Sequence, residues 1–163
     1  MTGLYEQYAP RLLAYVRSMS TRNGHAPEDV LHEVFLGLMR KDVVPEHDDP
    51  LPYLFSCARN RLFNLKRGDD RRRRREEKRA AMTPPRVFGP QPGREETATR
   101  LEAALARLPD EQREAVVLRI WGEMSLADVA RVQQVPLKTA ASRYAYGIRK
   151  LRQIMEFTDG PVR

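Results

Sequence analysis

The sequence predicts an all-α protein made of two small helical domains, and three observations carry that expectation. Apolar residues recur at three- and four-residue spacing in one segment after another. Nothing alternates with period two over a useful length, so no stretch reads as a half-buried strand. A basic, Pro/Gly-rich stretch splits the helical segments into two groups. A chain of 163 residues has room for one ordinary domain or two small ones, and this organisation favours two.

In the first group, Leu4, Tyr8, Leu12, Tyr15, Val16 and Met19 keep helical spacing, with a kink or restart expected at Pro10. Asn23-Gly24 marks a loop. Pro27 suits the first position of the next helix, Glu28 and Asp29 favour its positive end, and Arg40-Lys41 favour its negative end. Between them Val30/Leu31, Val34/Phe35 and Leu38/Met39 form a broad apolar stripe. The stretch from Pro45 to Pro52 reads as a loop. Leu51, Leu54, Phe55, Ala58, Leu62 and Leu65 then give a third apolar face, opposite Arg59, Asn60, Arg61, Asn64, Lys66 and Arg67. Three such helices can close one core, which sets a first domain at residues 1–68.

Residues 69–98 read as a flexible linker. The run Arg71 to Arg75 is expected to be a solvated charge block rather than a dedicated nucleic-acid contact, and its start can prolong the preceding helix. The segment PPRVFGPQPG follows. Beyond it, Leu101, Ala104, Leu105 and Leu108 mark a helix. Pro109-Asp110-Glu111 opens another, which carries Val116, Val117, Ile120 and Trp121 and stops at Gly122. Ser125 with Asp128 matches a capping box ahead of Leu126, Val129 and Ala130. After a break at Gln133-Gln134-Val135-Pro136, a long last helix reaches about Phe157. The second domain is set at residues 99–157, with a tail over 158–163.

Charge and chemistry narrow the function. With 29 Lys+Arg against 22 Asp+Glu, the formal net charge of +7 permits a polyanionic partner. The single cysteine, Cys57, can form no internal disulfide and belongs to no zinc-binding pair, which fits a reducing cytoplasm. No apolar run has the length of a signal core or a membrane span, so no membrane insertion is expected. His25, His32 and His47 lie in unrelated contexts. No nucleophile motif, phosphate loop or H-E-x-x-H string is present, so neither catalysis nor a cofactor or metal is expected.

Ser125 to Arg152, SLADVARVQQVPLKTAASRYAYGIRKLR, has the layout of a helix-turn-helix. On its last helix Leu137, Ala140, Tyr144, Ile148, Leu151 and Met155 share one face. Lys138, Ser142, Arg143, Tyr146, Arg149 and Arg152 share the other. A major groove rewards such a surface, because cations meet phosphates while hydroxyls and guanidinium groups reach base edges. Protein-binding three-helix domains also carry a charged face, so layout alone leaves that alternative open.

Longer stretches carry a family resemblance. ALARLPDEQREAVVLRIWGEMSLADVA followed by VPLKTAASRYAYGIRKLR resembles region 4, the promoter-binding C-terminal domain of extracytoplasmic-function sigma factors. YAPRLLAYVRSM, APEDVLHEVFLGLMR and PYLFSCARNRLFNLKR resemble the three helices of sigma region 2, in the expected order. The resemblance implies a non-enzymatic subunit that brings RNA polymerase core to promoter DNA. It assigns Glu28, Asp29, His32, Glu33 and Phe35 to docking on the β′ clamp helices, with His32 where the family usually has Gln. Tyr53, Arg59, Asn60, Asn64, Lys66 and Arg67 fall to binding and melting the -10 element, and the loop Val44 to Asp49 to reading a flipped base. Lys138, Thr139, Ser142, Arg143, Tyr146 and Arg149 fall to reading the -35 element. Departures are visible: Ala140 stands for the usual Val, Ala141 and Tyr146 for common cations, and Gln134 for the turn Gly. The polymerase β flap and an anti-sigma protein are further implied partners, with a monomer when free. The competing readings are a stand-alone helix-turn-helix regulator and a nucleic-acid enzyme.

Overall fold

The structure is a computed structural model that describes residues 2–20, 25–41, 49–77 and 96–158. The Asn23-Gly24 loop, His47, residues 44–48 of the base-reading loop, the segment PPRVFGPQPG and residues 159–163 of the tail lie outside the described residues.

Among the described residues every element is helical: α1 (Thr2–Met19), α2 (Pro27–Lys41), α3 (Leu51–Glu77), α4 (Glu96–Ala106), α5 (Asp110–Ile120), α6 (Leu126–Gln133) and α7 (Leu137–Thr158). The expected stripes pack as a first group. Leu12, Tyr15 and Val16 of α1 meet Val30, Leu31, Val34 and Leu38 of α2 and Leu54, Phe55, Ala58 and Leu62 of α3 in a buried cluster. Contrary to expectation α1 runs on through Pro10 without a restart. Pro10 is exposed. A proline ring disrupts a helix through a lost hydrogen bond and a clash with the preceding turn, and on an exposed face solvent can take the freed carbonyl. The third helix continues past residue 68 to Glu77, so the arginine run is helical and its side chains stand exposed.

In the second group α7 packs on α4, α5 and α6. The capping box forms as read: Ser125 Oγ accepts the Asp128 N–H at 3.1 Å and donates to its carboxylate at 2.6 Å. Burial alone would raise the Asp128 carboxyl, but Ser125 and Arg131 outweigh it and hold it below its ordinary range. The turn between α6 and α7 is left-handed at Gln134, with φ 56° and ψ 46°, and its N–H caps the carbonyls of Ala130 and Arg131. Gly147 lets α7 sit close on α5, since a Cβ there would lie 2.7 Å from Val116 Cγ2. Leu137 departs from its expected buried face and is 54% exposed at the open start of α7.

The two groups also pack on each other. Helix α1 lies against α5, and α3 against α6. The sequence reads these halves as tethered modules, whereas the structure joins them through a shared interface.

Candidate functional site

Helix α2 presents an acidic face. Glu28, Asp29, His32 and Glu33 are exposed, one turn apart on the side away from Val30, Val34 and Leu38. Arg17 hydrogen-bonds Glu28 at 2.7 Å and holds its carboxyl below the ordinary range. Glu33 pairs with Arg61 of α3. Phe35 does not share this face: it is 7% exposed and packs edge-on against Tyr5 with ring centroids 4.9 Å apart. Its place is the core, because its position falls in the same stripe as Leu31, Val34 and Leu38.

On α3, Asn60, Asn64, Lys66 and Arg67 are exposed, and Tyr53 is half-buried. The Cys57 thiol and partial burial push the Tyr53 phenol up, so it stays a protonated donor. The arrangement also includes Phe63, absent from the sequence reading. Its ring is exposed, and the Arg59 guanidinium lies 4.5 Å from its centroid. The signal for Phe63 was available, because it sits three residues after Asn60 and four before Arg67 on the polar side. An aromatic ring backed by guanidinium and amide groups suits the faces of unpaired bases.

On α7, Lys138, Ser142, Tyr146 and Arg149 are exposed and Thr139 is half-buried. Ser142 Oγ donates to the Lys138 carbonyl at 2.9 Å, and the Arg149 guanidinium lies 5.5 Å from the Tyr146 ring centroid. The resulting surface combines cations, hydroxyls and one stacked Tyr–Arg pair, a composition that can meet phosphates and base edges together.

Arg59 and Arg143, one from each basic surface, are held inward. Arg59 Nε donates to Glu114 Oε1 at 3.0 Å, and its side chain is 16% exposed. The Arg143 side chain is 20% exposed, with its guanidinium 3.3 Å from Gln133 Oε1 and 3.1 Å from Glu111. Glu114 and Gln133 are buried polar residues that the periodicity gave no reason to single out. Among the described residues no group of His, Cys, Asp and Glu could hold a metal, and no helix is long and apolar enough to cross a membrane.

Comparison with known proteins agrees with this layout. The sequence pattern of sigma-70 region 2 matches residues 4–72, and that of sigma-70 region 4 matches residues 98–151. The ECF RNA polymerase sigma factor RpoE of Cereibacter sphaeroides is 25% identical over 155 residues, spanning 93% of this chain and 84% of that protein. Two solved structures share the fold. One is the sigma factor RpoE in complex with the anti-sigma factor NepR from Bartonella quintana, with TM-score 0.77, 19% identity and coverage of 96% of this chain and 98% of that one. The other is CnrH in complex with the cytosolic domain of CnrY, with TM-score 0.67, 22% identity and coverage of 98% and 88%. With both regions present in order and together taking up most of its length, the chain belongs to the sigma-70 family as a sigma factor of the extracytoplasmic-function type.

Proposed function

We propose that this sigma factor brings core RNA polymerase to its promoters through three separate faces. Asp29, His32 and the neighbouring acids of α2 dock on the β′ clamp helices, and the α4–α7 group meets the β flap. Asn60, Asn64, Lys66 and Arg67, with Tyr53 and Arg59, take the -10 element and its unpaired strand. Lys138, Thr139, Ser142, Arg143, Tyr146 and Arg149 take the -35 element in the major groove. The division of labour follows residues 1–68 and 99–157, joined by the segment 69–98. The protein works by binding rather than catalysis, without a cofactor, in the cytoplasm and as a monomer when free. An anti-sigma partner fits as well, since the RpoE of the Bartonella structure is bound by one.

The observation that carries this reading is the separation of one acidic and two basic faces on different helices of a single small protein. A stand-alone regulator would need only α7 and its supports. Transcription in vitro with core polymerase and a promoter library tests the proposal. Promoter-specific transcripts that require this chain are expected. Tight, specific duplex binding by the chain alone, with no polymerase-dependent transcription, would favour the regulator.

A further inference from the structure

One polar network crosses the interface between the two halves of the molecule, and Glu114 of α5 is its centre. Glu114 is 3% exposed, yet its carboxylate is fully engaged. Oε1 accepts the Tyr15 hydroxyl of α1 at 2.7 Å and Arg59 Nε of α3 at 3.0 Å. Oε2 accepts Gln133 Nε2 of α6 at 2.9 Å, and the Gln133 carbonyl oxygen faces Arg143 of α7 at 3.3 Å. Burial first, and then the Glu114 charge, push the Tyr15 phenol far up, so it remains a donor. Around this centre lie exposed bridges, Arg11 to Glu123 at 2.5 Å and Lys66 to Asp110 at 3.2 Å. The network therefore ties an arginine from each proposed DNA surface to the same buried glutamate and turns both away from solvent.

Two physical points make this contact a latch rather than a permanent join. A buried ion pair gives a contact geometric specificity and little net stability, because desolvation offsets most of the attraction, and separable interfaces within a chain are typically polar. The covalent connection also permits parting: residues 78–95 provide enough chain for about 60 Å at full extension.

We propose that the free sigma factor is autoinhibited by this closed packing, with Glu114 holding Arg59 and Arg143 together, and that docking on core polymerase separates the halves and releases both arginines. The proposal rests on the reading of α3 and α7 as the two promoter-reading surfaces. A closed majority lowers the apparent affinity for core by the fraction of molecules that are open.

The test uses the full chain and substitutions outside all three proposed binding faces. Tyr15→Phe removes one hydrogen bond to a carboxylate and keeps the ring that packs on Phe55. Glu123→Arg sets a like charge beside Arg11, and the exchange Arg11→Glu with Glu123→Arg restores the pair. Circular dichroism checks folding, small-angle scattering measures the radius of gyration of the free chain, and a competition assay measures affinity for core polymerase. Tyr15→Phe is expected to expand the free chain and tighten core binding about tenfold. Glu123→Arg should do the same more weakly, and the exchange should return both values to those of the parent. Folded variants with unchanged radius and affinity would overturn the latch, and expansion without tighter binding would overturn autoinhibition. If no variant, nor the parent, bound core, the sigma reading itself would fail, while the scattering would still decide whether the contact holds the halves together.

Discussion

At the scale of single residues, Gln134 shows how a family departure becomes a structural cost. Its φ of 56° lies in the left-handed region, where an L side chain meets the following carbonyl and glycine does not. The sequence pointed to this strain, because Gln134 occupies the turn between two clear helices where a glycine is usual. Gln134→Gly should therefore raise stability by about 1 kcal/mol, after the strain relieved is set against the greater freedom of glycine in the unfolded chain. The capping N–H to Ala130 and Arg131 is a backbone group and survives the change. Urea denaturation reads the result, and an unchanged or lower midpoint would show that the turn carries no strain. Phe35 is the opposite case: the resemblance draws it to the docking face, while the helical stripe places it in the core, and the stripe decides because burial follows side-chain direction.

At the scale of elements, the reading from periodicity succeeded wherever a helix had one apolar and one polar side. The faces of α2, α3 and α7 follow from spacing alone, as does the cap of α6. What periodicity leaves open is the end of an element whose termination depends on its surroundings. Helix α3 outlasts its own apolar face by three turns, carrying the arginine run to Glu77, and α1 passes Pro10, because neither continuation leaves an apolar stripe to read. The faces also suggest a clean test of docking. Asp29 is exposed on α2, whereas Glu33 is paired with Arg61, so reversing Glu33 would create repulsion within the fold. Asp29→Lys is expected to weaken core polymerase binding by about 1–2 kcal/mol, as the loss of a charge contact does at an interface rim, with helicity unchanged. A competition assay checks the first and circular dichroism the second. Full core affinity in a folded variant would remove α2 from the interface.

At the scale of the whole molecule, the packing of the two halves escaped the sequence because its key residues look ordinary in their own segments. Tyr15 fits the stripe of α1, and Glu114 sits in a hydrophilic stretch. A hint lies in Ala115-Val116-Val117-Leu118: four consecutive apolar residues are buried on every side of α5, and such a helix needs cover beyond the elements of its own group. That cover is α1. The two basic surfaces nonetheless belong to different halves, so they should fail separately once polymerase holds them on DNA. Arg149 is exposed on α7 and free of the Glu114 network, and Arg149→Ala should weaken upstream -35 recognition by about 1–3 kcal/mol while melting proceeds in the complexes that form. Asn60 is exposed on α3 beside the Phe63 ring, and Asn60→Ala should keep the upstream footprint while reducing permanganate reactivity of thymines near the start site. The contrast matters because either variant alone could lower transcription for an unspecific reason, whereas opposite effects on footprint and permanganate signal cannot come from a general loss of folding. If Asn60→Ala opened promoters normally and Arg149→Ala lost opening with full upstream affinity, the strand-melting surface would lie on α7 and the assignment of the two helices would have to be exchanged.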